Sequence, residues 1–278
     1  MQNVIIVNPV LFEEKKKKFN DSLDVHVLAD FDRTLTKAHD GSAKVGSAIA
    51  QIRNNNYLSE EYTKKAFELF DKYHPIEIDS KLTMQEKLPA MEEWWSKHLE
   101  LIVASGMKKE IILDIVNKNY LPPRDGFEEF INFLNKQNIP ILILSSGLGD
   151  IIEEFFKAKE LLSNNVQIIS NYFDFDEKGF AKGYKGKIVH VFNKDESQIK
   201  NTPHFEKIQY KKNIILLGDS LGDLKMTGQI EFNEIIRIGF LNENIDENLG
   251  EFKENFDIII TNDGSLEFVN NLLKDLFE

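Results

Sequence analysis

Four short clusters carry groups that could do chemistry together: Asp30-Phe31-Asp32-Arg33-Thr34, Ser145-Ser146-Gly147, Lys194, and Gly218-Asp219-Ser220-Leu221-Gly222-Asp223. Asp30, Asp32 and Asp219 held close together would repel one another and take up protons unless a cation sat between them. A small set of oxygen-only ligands suits Mg²⁺, which keeps several waters and binds through carboxylates plus substrate phosphate. The six histidines show no metal-ligand spacing, and cysteine is absent, so Mg²⁺ is the cofactor indicated. The chemistry that uses such a set is phosphoryl transfer. A carboxylate nucleophile splits the reaction into two easier steps, and a second carboxylic acid protonates the leaving alkoxide and then activates water. A lysine, hydroxyls and the metal stabilise charge on the transferring group.

Short, almost continuous apolar runs recur at 23–31, 139–144, 166–169, 214–217, 235–240 and 257–261. The cluster at 30–34 closes the run 23–31, those at 145–147 and 218–223 follow the runs 139–144 and 214–217, and Lys194 follows a hairpin at 172–187. Such runs mark strands buried on both faces, as in a parallel sheet covered by helices. Helical periodicity at 127–136, 151–162 and 266–276 alternates with them, giving an α/β, doubly wound, mostly parallel sheet. Ligands gather at the carboxyl ends of strands in such sheets, which is where all four clusters fall. Residues 41–120 read differently: amphipathic, with candidate helices at 62–73, 84–102 and 108–117 and no convincing buried strand. The expected organisation is therefore a core of residues 1–40 and 121–278 with an inserted helical cap at 41–120. Residues 172–187, turning at Asp176-Glu177-Lys178-Gly179, read as a small β-hairpin.

Composition narrows the partners. Thirty-four basic against 46 acidic residues give a net charge of −12, a poor balance for binding nucleic acid through its phosphates. No stretch approaches the ~18 consecutive apolar residues of a membrane span, and the first residues lack the pattern of a secretory signal. A cytoplasmic protein, monomeric rather than oligomeric and without a membrane partner, is expected. Residues 1–21 read only as a peripheral strand and helix.

The four clusters in this order resemble the haloacid dehalogenase superfamily. Ile76-Glu77-Ile78-Asp79, Met91-Glu92-Glu93-Trp94-Trp95, Ser146-Gly147-Leu148-Gly149-Asp150, Asn171-Tyr172-Phe173-Asp174-Phe175-Asp176 and His190-Val191-Phe192-Asn193-Lys194 further resemble the cytosolic pyrimidine 5′-nucleotidases of type III. The resemblance implies a Rossmann-like core with a helical-bundle cap. It also implies hydrolysis of nucleoside 5′-monophosphates through an aspartyl-phosphate, with some phosphoryl transfer to other nucleosides. UMP and CMP are the substrates implied first, and 7-methyl-GMP second. Asp30 would be the nucleophile and Asp32 the acid/base that also offers its backbone carbonyl to Mg²⁺, with Asp219 the third metal ligand. Ser145 and Ser146 would hold the phosphoryl group, Lys194 would balance its charge, and Thr34 and Asp223 would support the centre. Glu77 matches the base-recognising glutamate, and His98 falls where some members that accept 7-methyl-GMP have serine. Arg33 and Ser146 replace the family's usual methionine and alanine, and residues 37–55 match the family poorly.

Plainer readings stand beside these. Asp30 and Asp32 could form a strand-end turn, Ser145 could cap the following helix, and Lys194 and Glu77 could be surface charges. Met91, Trp94, Trp95 and His98 share helical spacing, which is commonly a core stripe, with stacking of one aromatic on a base as the functional alternative. Asp174 and Asp176 read as hairpin-turn residues. At the level of function, the alternatives are a phosphatase for another small phosphomonoester such as phosphoserine, and a non-catalytic nucleotide-binding module. Retention of both Asp30 and Asp32 argues against the last.

Overall fold

The computed structural model describes residues 3–21, 24–79, 81–195, 203–228 and 231–278. Strand β1 (Val4–Ile6) and helix α1 (Pro9–Asp21) precede β2 (Val25–Ala29), which is buried along its whole length; Leu23, at the head of the first apolar run, lies outside the described residues. A two-stranded hairpin, β3 (His39–Asp40) and β4 (Ala43–Lys44), leads into helices α2 (Ala50–Asn54), α3 (Glu60–Ile78), α4 (Met84–Ala104) and α5 (Lys109–Asn117). The chain then forms α6 (Phe127–Lys136), β5 (Ile141–Leu148), α7 (Gly149–Ala158), β6 (Val166–Phe175), β7 (Ala181–Lys185) and α8 (Pro203–Ile208). It ends with β8 (Asn213–Gly218), a 3₁₀ segment Leu221–Thr227, β9 (Glu234–Leu241), α9 (Ile245–Asn255), β10 (Ile258–Thr261) and α10 (Glu267–Phe277).

The main sheet runs β1-β10-β9-β8-β2-β5-β6-β7. Strands β10, β9, β8, β2, β5 and β6 are parallel, and only β1 and β7 pair antiparallel at the two edges. The mixed α/β, mostly parallel fold read from the apolar runs is the fold observed. Its order places β2 between β5 and β8, so the chain leaves β2 in one direction and returns on its other side. That reversal opens a crevice at the carboxyl ends of three neighbouring strands.

Of the helices between β4 and α6, the two long ones, α3 and α4, begin at sequence-encoded caps. Ser59 Oγ accepts from the Tyr62 N–H at 3.1 Å, and Thr83 and Glu86 form a reciprocal capping box at the start of α4. Much of the apolar surface of α3, α4 and α5 joins the core of the sheet: Ala66, Leu99, Ile102, Ile112 and Ile115 belong to the same buried cluster as Val27 and Phe155. Tyr73, Met91 and Trp94 form a smaller cluster near the sheet's carboxyl edge. The short helix α2 and the β3–β4 hairpin carry no strong periodicity and fall where the sequence reading found little structure.

Candidate active site

Asp30 follows the last residue of β2 and is 5 % exposed, its N–H donating to Leu217 O of β8 at 3.0 Å. Lys194 reaches it from the segment after β7, with Nζ 2.6 Å from Asp30 Oδ1 and 2.7 Å from Asp223 Oδ1. Asp219 follows β8 directly, and one carboxylate oxygen from each of Asp30, Asp219 and Asp223 lies within 4.8 Å of the others. Asp223 folds back under this loop. Its Oδ2 accepts from the N–H groups of Asp219 (3.0 Å) and Ser220 (2.9 Å) and from the Ser220 hydroxyl (2.9 Å). Gly218 makes room for that return, because an added Cβ would lie 2.4 Å from Asp223 Cβ.

Asp32 sits apart from the trio. Its Oδ1 accepts from the N–H of Ala48, in the stretch before α2, at 2.8 Å. Its Oδ2 lies 3.2 Å from where a Cβ on Gly147 would stand, a position also 3.1 Å from Ser145 Oγ. Gly147 therefore lets the end of β5 approach Asp32 closely. Sequence periodicity ended this strand at residue 144, but β5 continues through Leu148, so Ser145 and Ser146 project from a strand end. Ser145 does not cap α7: its hydroxyl accepts from the Gly147 N–H at 3.0 Å, and the N-terminus of α7 has no side-chain cap.

Asn171 on β6 is a residue to which sequence analysis gave no role. Its Nδ2 donates to Ser146 O (2.9 Å) and Val189 O (2.8 Å), and its Oδ1 accepts from the Val189 N–H at 2.8 Å. It ties the serine-bearing strand end to the segment that delivers Lys194. Only tertiary pairing reveals this, since its partners lie 18 and 25 residues away.

The electrostatics follow from burial. Desolvation pushes Asp30 up to about 6 against the pull of Lys194, and pushes Asp32 up to about 7, with the Asp30 charge adding to it. Asp219 is raised well above the ordinary carboxylate range by burial and by Asp223 and Asp30. For Lys194, burial opposes the charge but is outweighed by Asp223 and Asp30, so the ammonium is held firmly protonated. One lysine against three clustered carboxylates leaves an excess of negative charge. Oxygen-only donors in that state fit a hard divalent cation.

Asp30, Asp32, Ser145, Ser146, Lys194 and Asp219, but not Asp223, line a cavity of about 300 Å³ that also reaches the inserted helices. Its far end is lined by Arg53, Phe70, His74, Glu77, Trp94, Trp95 and His98. Trp94 and Trp95 are each 9 % exposed and edge the cavity, whereas Met91 is fully buried core. The Arg53 guanidinium lies 4.8 Å from the centre of the Phe70 ring. Burial raises the Glu77 carboxyl, opposed by Lys87 and Lys194, and lowers His98 to about 4, with Arg53 acting in the same direction. His98 is paired with Tyr62, whose hydroxyl lies 3.4 Å from Nε2. Thr34 is fully buried, and its hydroxyl is near enough to Asp30 to oppose the rise of that carboxyl. Asp176 organises the hairpin turn, accepting from the N–H groups of Lys178 and Phe180, and Asp174 pairs with Lys182 at 3.2 Å.

Comparison with known proteins converges on one family. The pyrimidine 5′-nucleotidase (UMPH-1) family profile matches residues 33–277. The 7-methylguanosine phosphate-specific 5′-nucleotidase of Mus musculus is 39 % identical over 91 % of this chain and 84 % of its own. Among solved structures, cytosolic 5′-nucleotidase IIIB bound to cytidine superposes with a TM-score of 0.86 at 28 % identity, covering 99 % of this chain and 94 % of that one. A substrate-bound phosphoserine phosphatase shares the fold at a TM-score of 0.53 and 19 % identity, over 89 % of this chain and 96 % of that one.

Proposed function

This chain belongs to the pyrimidine 5′-nucleotidase (UMPH-1) family and is a 5′-nucleotidase, and from that premise we propose that it hydrolyses pyrimidine nucleoside 5′-monophosphates, UMP and CMP foremost, through an aspartyl-phosphate on Asp30. The observation that carries the reading is the shared cavity. Asp30, Asp32, Ser145 and Lys194 line its floor, while Glu77, Trp94 and Trp95 line its far end. Phosphate chemistry and a planar, hydrogen-bonding base would thus be served within one enclosure.

A carboxylate oxygen of Asp30 attacks phosphorus, the P–O5′ bond breaks, and Asp32 gives its proton to the departing nucleoside oxygen. Asp32, now a carboxylate, takes a proton from water as that water attacks the phosphorus. The Asp30–phosphorus bond breaks, freeing inorganic phosphate and restoring Asp30. A carboxyl raised to about 7 is divided between its two forms near neutral pH, as a group that first donates and then accepts requires. Ser145 and the end of β5 hold the phosphoryl oxygens, and Lys194 keeps Asp30 aimed and offsets charge.

Asp30, Asp219 and the Asp32 carbonyl would hold Mg²⁺, with Asp223 supporting the loop, and the ion when bound supplies charge neutralisation and Lewis-acid polarisation of the phosphate. Residues 41–120 act as the cap, with Glu77 reading the edge of the base, a tryptophan covering its face and His98 shaping the pocket. Transfer of the phosphoryl group to a second nucleoside follows from the same intermediate, and 7-methyl-GMP is a further candidate substrate. Every group named here lies on one chain, so we take a monomer as the working unit, and we place it in the cytoplasm by its likeness to cytosolic 5′-nucleotidase IIIB.

The test is phosphate release from UMP, CMP, 7-methyl-GMP, AMP, GMP and phosphoserine, with Mg²⁺ or EDTA, beside Asp30→Asn. Metal-dependent release from UMP and CMP that vanishes in the variant is the expected result. Release from phosphoserine alone would keep the chemistry and discard the nucleotide.

A further inference from the structure

Arg124 lies where the chain returns from the inserted helices, and it is 1 % exposed. Burying a guanidinium is costly unless its donors are met by well-placed acceptors. Those acceptors are concentrated on one turn. Nε donates to Thr34 O at 2.7 Å, and Nη2 donates to Arg33 O and, at 3.3 Å, to Thr36 O. All three carbonyls belong to the turn that begins at Asp32. The opposite side of that turn is gathered as tightly, for the N–H groups of Thr34, Leu35 and Thr36 converge on Phe31 O at 3.3, 3.0 and 3.1 Å. Within it Arg33 has φ +61°, a left-handed conformation that a side chain adopts at a cost and keeps only when its surroundings dictate it.

The remaining contacts reach outward. Nη1 donates to Gly264 O at 2.7 Å and pairs with Asp263 Oδ1 at 3.0 Å, while Nη2 meets Asn242 Oδ1 at 3.2 Å. Asp263 in turn accepts from the N–H groups of Ala38 and His39, both at 3.0 Å, where the chain leaves for the inserted helices. The two linkers are also joined directly, Arg124 N–H to Leu35 O and Lys37 N–H to Pro122 O, each 2.9 Å. The guanidinium rests over the Phe240 ring at 4.3 Å.

We propose that Arg124 is a positioning residue, which fixes the turn that aims Asp32 relative to Asp30 and, through Asp263, locks both linkers of the inserted helices to that turn. A side chain kept for stability alone would be better replaced by an apolar one of similar volume, because a buried charge rarely repays its desolvation. The fork of donors instead binds the backbone of the reacting loop, and a planar, five-donor group is the one side chain that can hold so many carbonyls at once.

The inference rests on the phosphohydrolase reading above, so the assay uses both UMP and p-nitrophenyl phosphate. Wild-type activity on the second alone would sink the nucleotide reading and leave this test intact. Arg124→Lys and Arg124→Ala are expected to lose about 10²-fold in kcat, the scale of an ångström-level misplacement, with KM nearly unchanged. Added guanidinium ion should restore part of the Arg124→Ala loss, and an equal concentration of sodium should not. A lowered Tm with wild-type kcat per folded molecule would overturn the proposal, as would a kcat loss that guanidinium leaves untouched. Should neither variant fold, Asp263→Asn decides: reduced kcat at constant KM supports the role, and unchanged kcat overturns it.

Discussion

Asp30 and Asp32 are two residues apart, yet their surroundings divide the labour. Asp30 is gripped by an ammonium, whereas Asp32 accepts one backbone N–H and, among the described residues, is ion-paired with no cation. In the proposed mechanism the first environment suits a nucleophile and the second a carrier of protons. Asp32→Asn should therefore bind nucleotide and Mg²⁺ normally while kcat falls by ~10²–10⁴; isothermal titration beside steady-state kinetics checks both halves, and near-normal turnover would remove Asp32 from the mechanism. Gly147→Ala tests the steric side. Its methyl group would crowd both Ser145 Oγ and Asp32 Oδ2, so activity should drop with little change in Tm. The acidic trio makes a metal prediction: Mg²⁺ should raise Tm in the wild type by relieving repulsion, and Asp219→Asn should weaken that response.

At the scale of elements, the site exists because β8, β2 and β5 are neighbours whose carboxyl ends open on one side. The apolar runs and the acid clusters that follow them were legible in sequence, since a strand buried on both faces leaves an unbroken apolar signature. The helices at 84–102 and 108–117 were legible for a similar reason, and lie within α4 and overlap α5. What sequence could not display were polar residues acting through distant backbone. Asn171 and Arg124 have no local pattern, because their acceptors are brought to them by folding. The end of β5 was hidden too, since Ser145-Ser146-Gly147 looks like a loop until β6 pairs Asn171 with Leu148. Asn171→Ala should cost about 1–3 kcal/mol by leaving buried carbonyls unpaired. It should also lower kcat, by loosening both the serine strand end and the approach of Lys194. A urea titration and kinetics together read this out, and a loss of stability without loss of kcat would reduce Asn171 to a structural tie.

Across the whole molecule, the inserted helices share a buried cluster with the sheet, so α5 and much of α4 are anchored to the core. Their other end, near Glu77 and Trp94, packs on Val191 and Phe192 and lines the cavity. Two buried histidines work against stability in acid. His98 and His204 are both lowered by burial to about 4. A depressed imidazole means that the unfolded chain binds protons first, so the stability each contributes is complete above about pH 6.5 and is lost as pH falls toward 4. Asp30, Asp32 and Asp150, raised by burial, act in the opposite sense. Each contributes a loss on the order of 3 kcal/mol at 1.36 kcal/mol per pKa unit, and His204→Gln should flatten the fall of Tm between those limits.

The central claim is covalent chemistry at Asp30, and acid quenching during turnover of UMP labelled in its phosphate tests it most directly. Peptide mapping should place an acid-stable, hydroxylamine-labile label on Asp30, absent in Asp30→Asn. Steady release of labelled phosphate with no labelled protein, or a label on a different residue, would contradict the account.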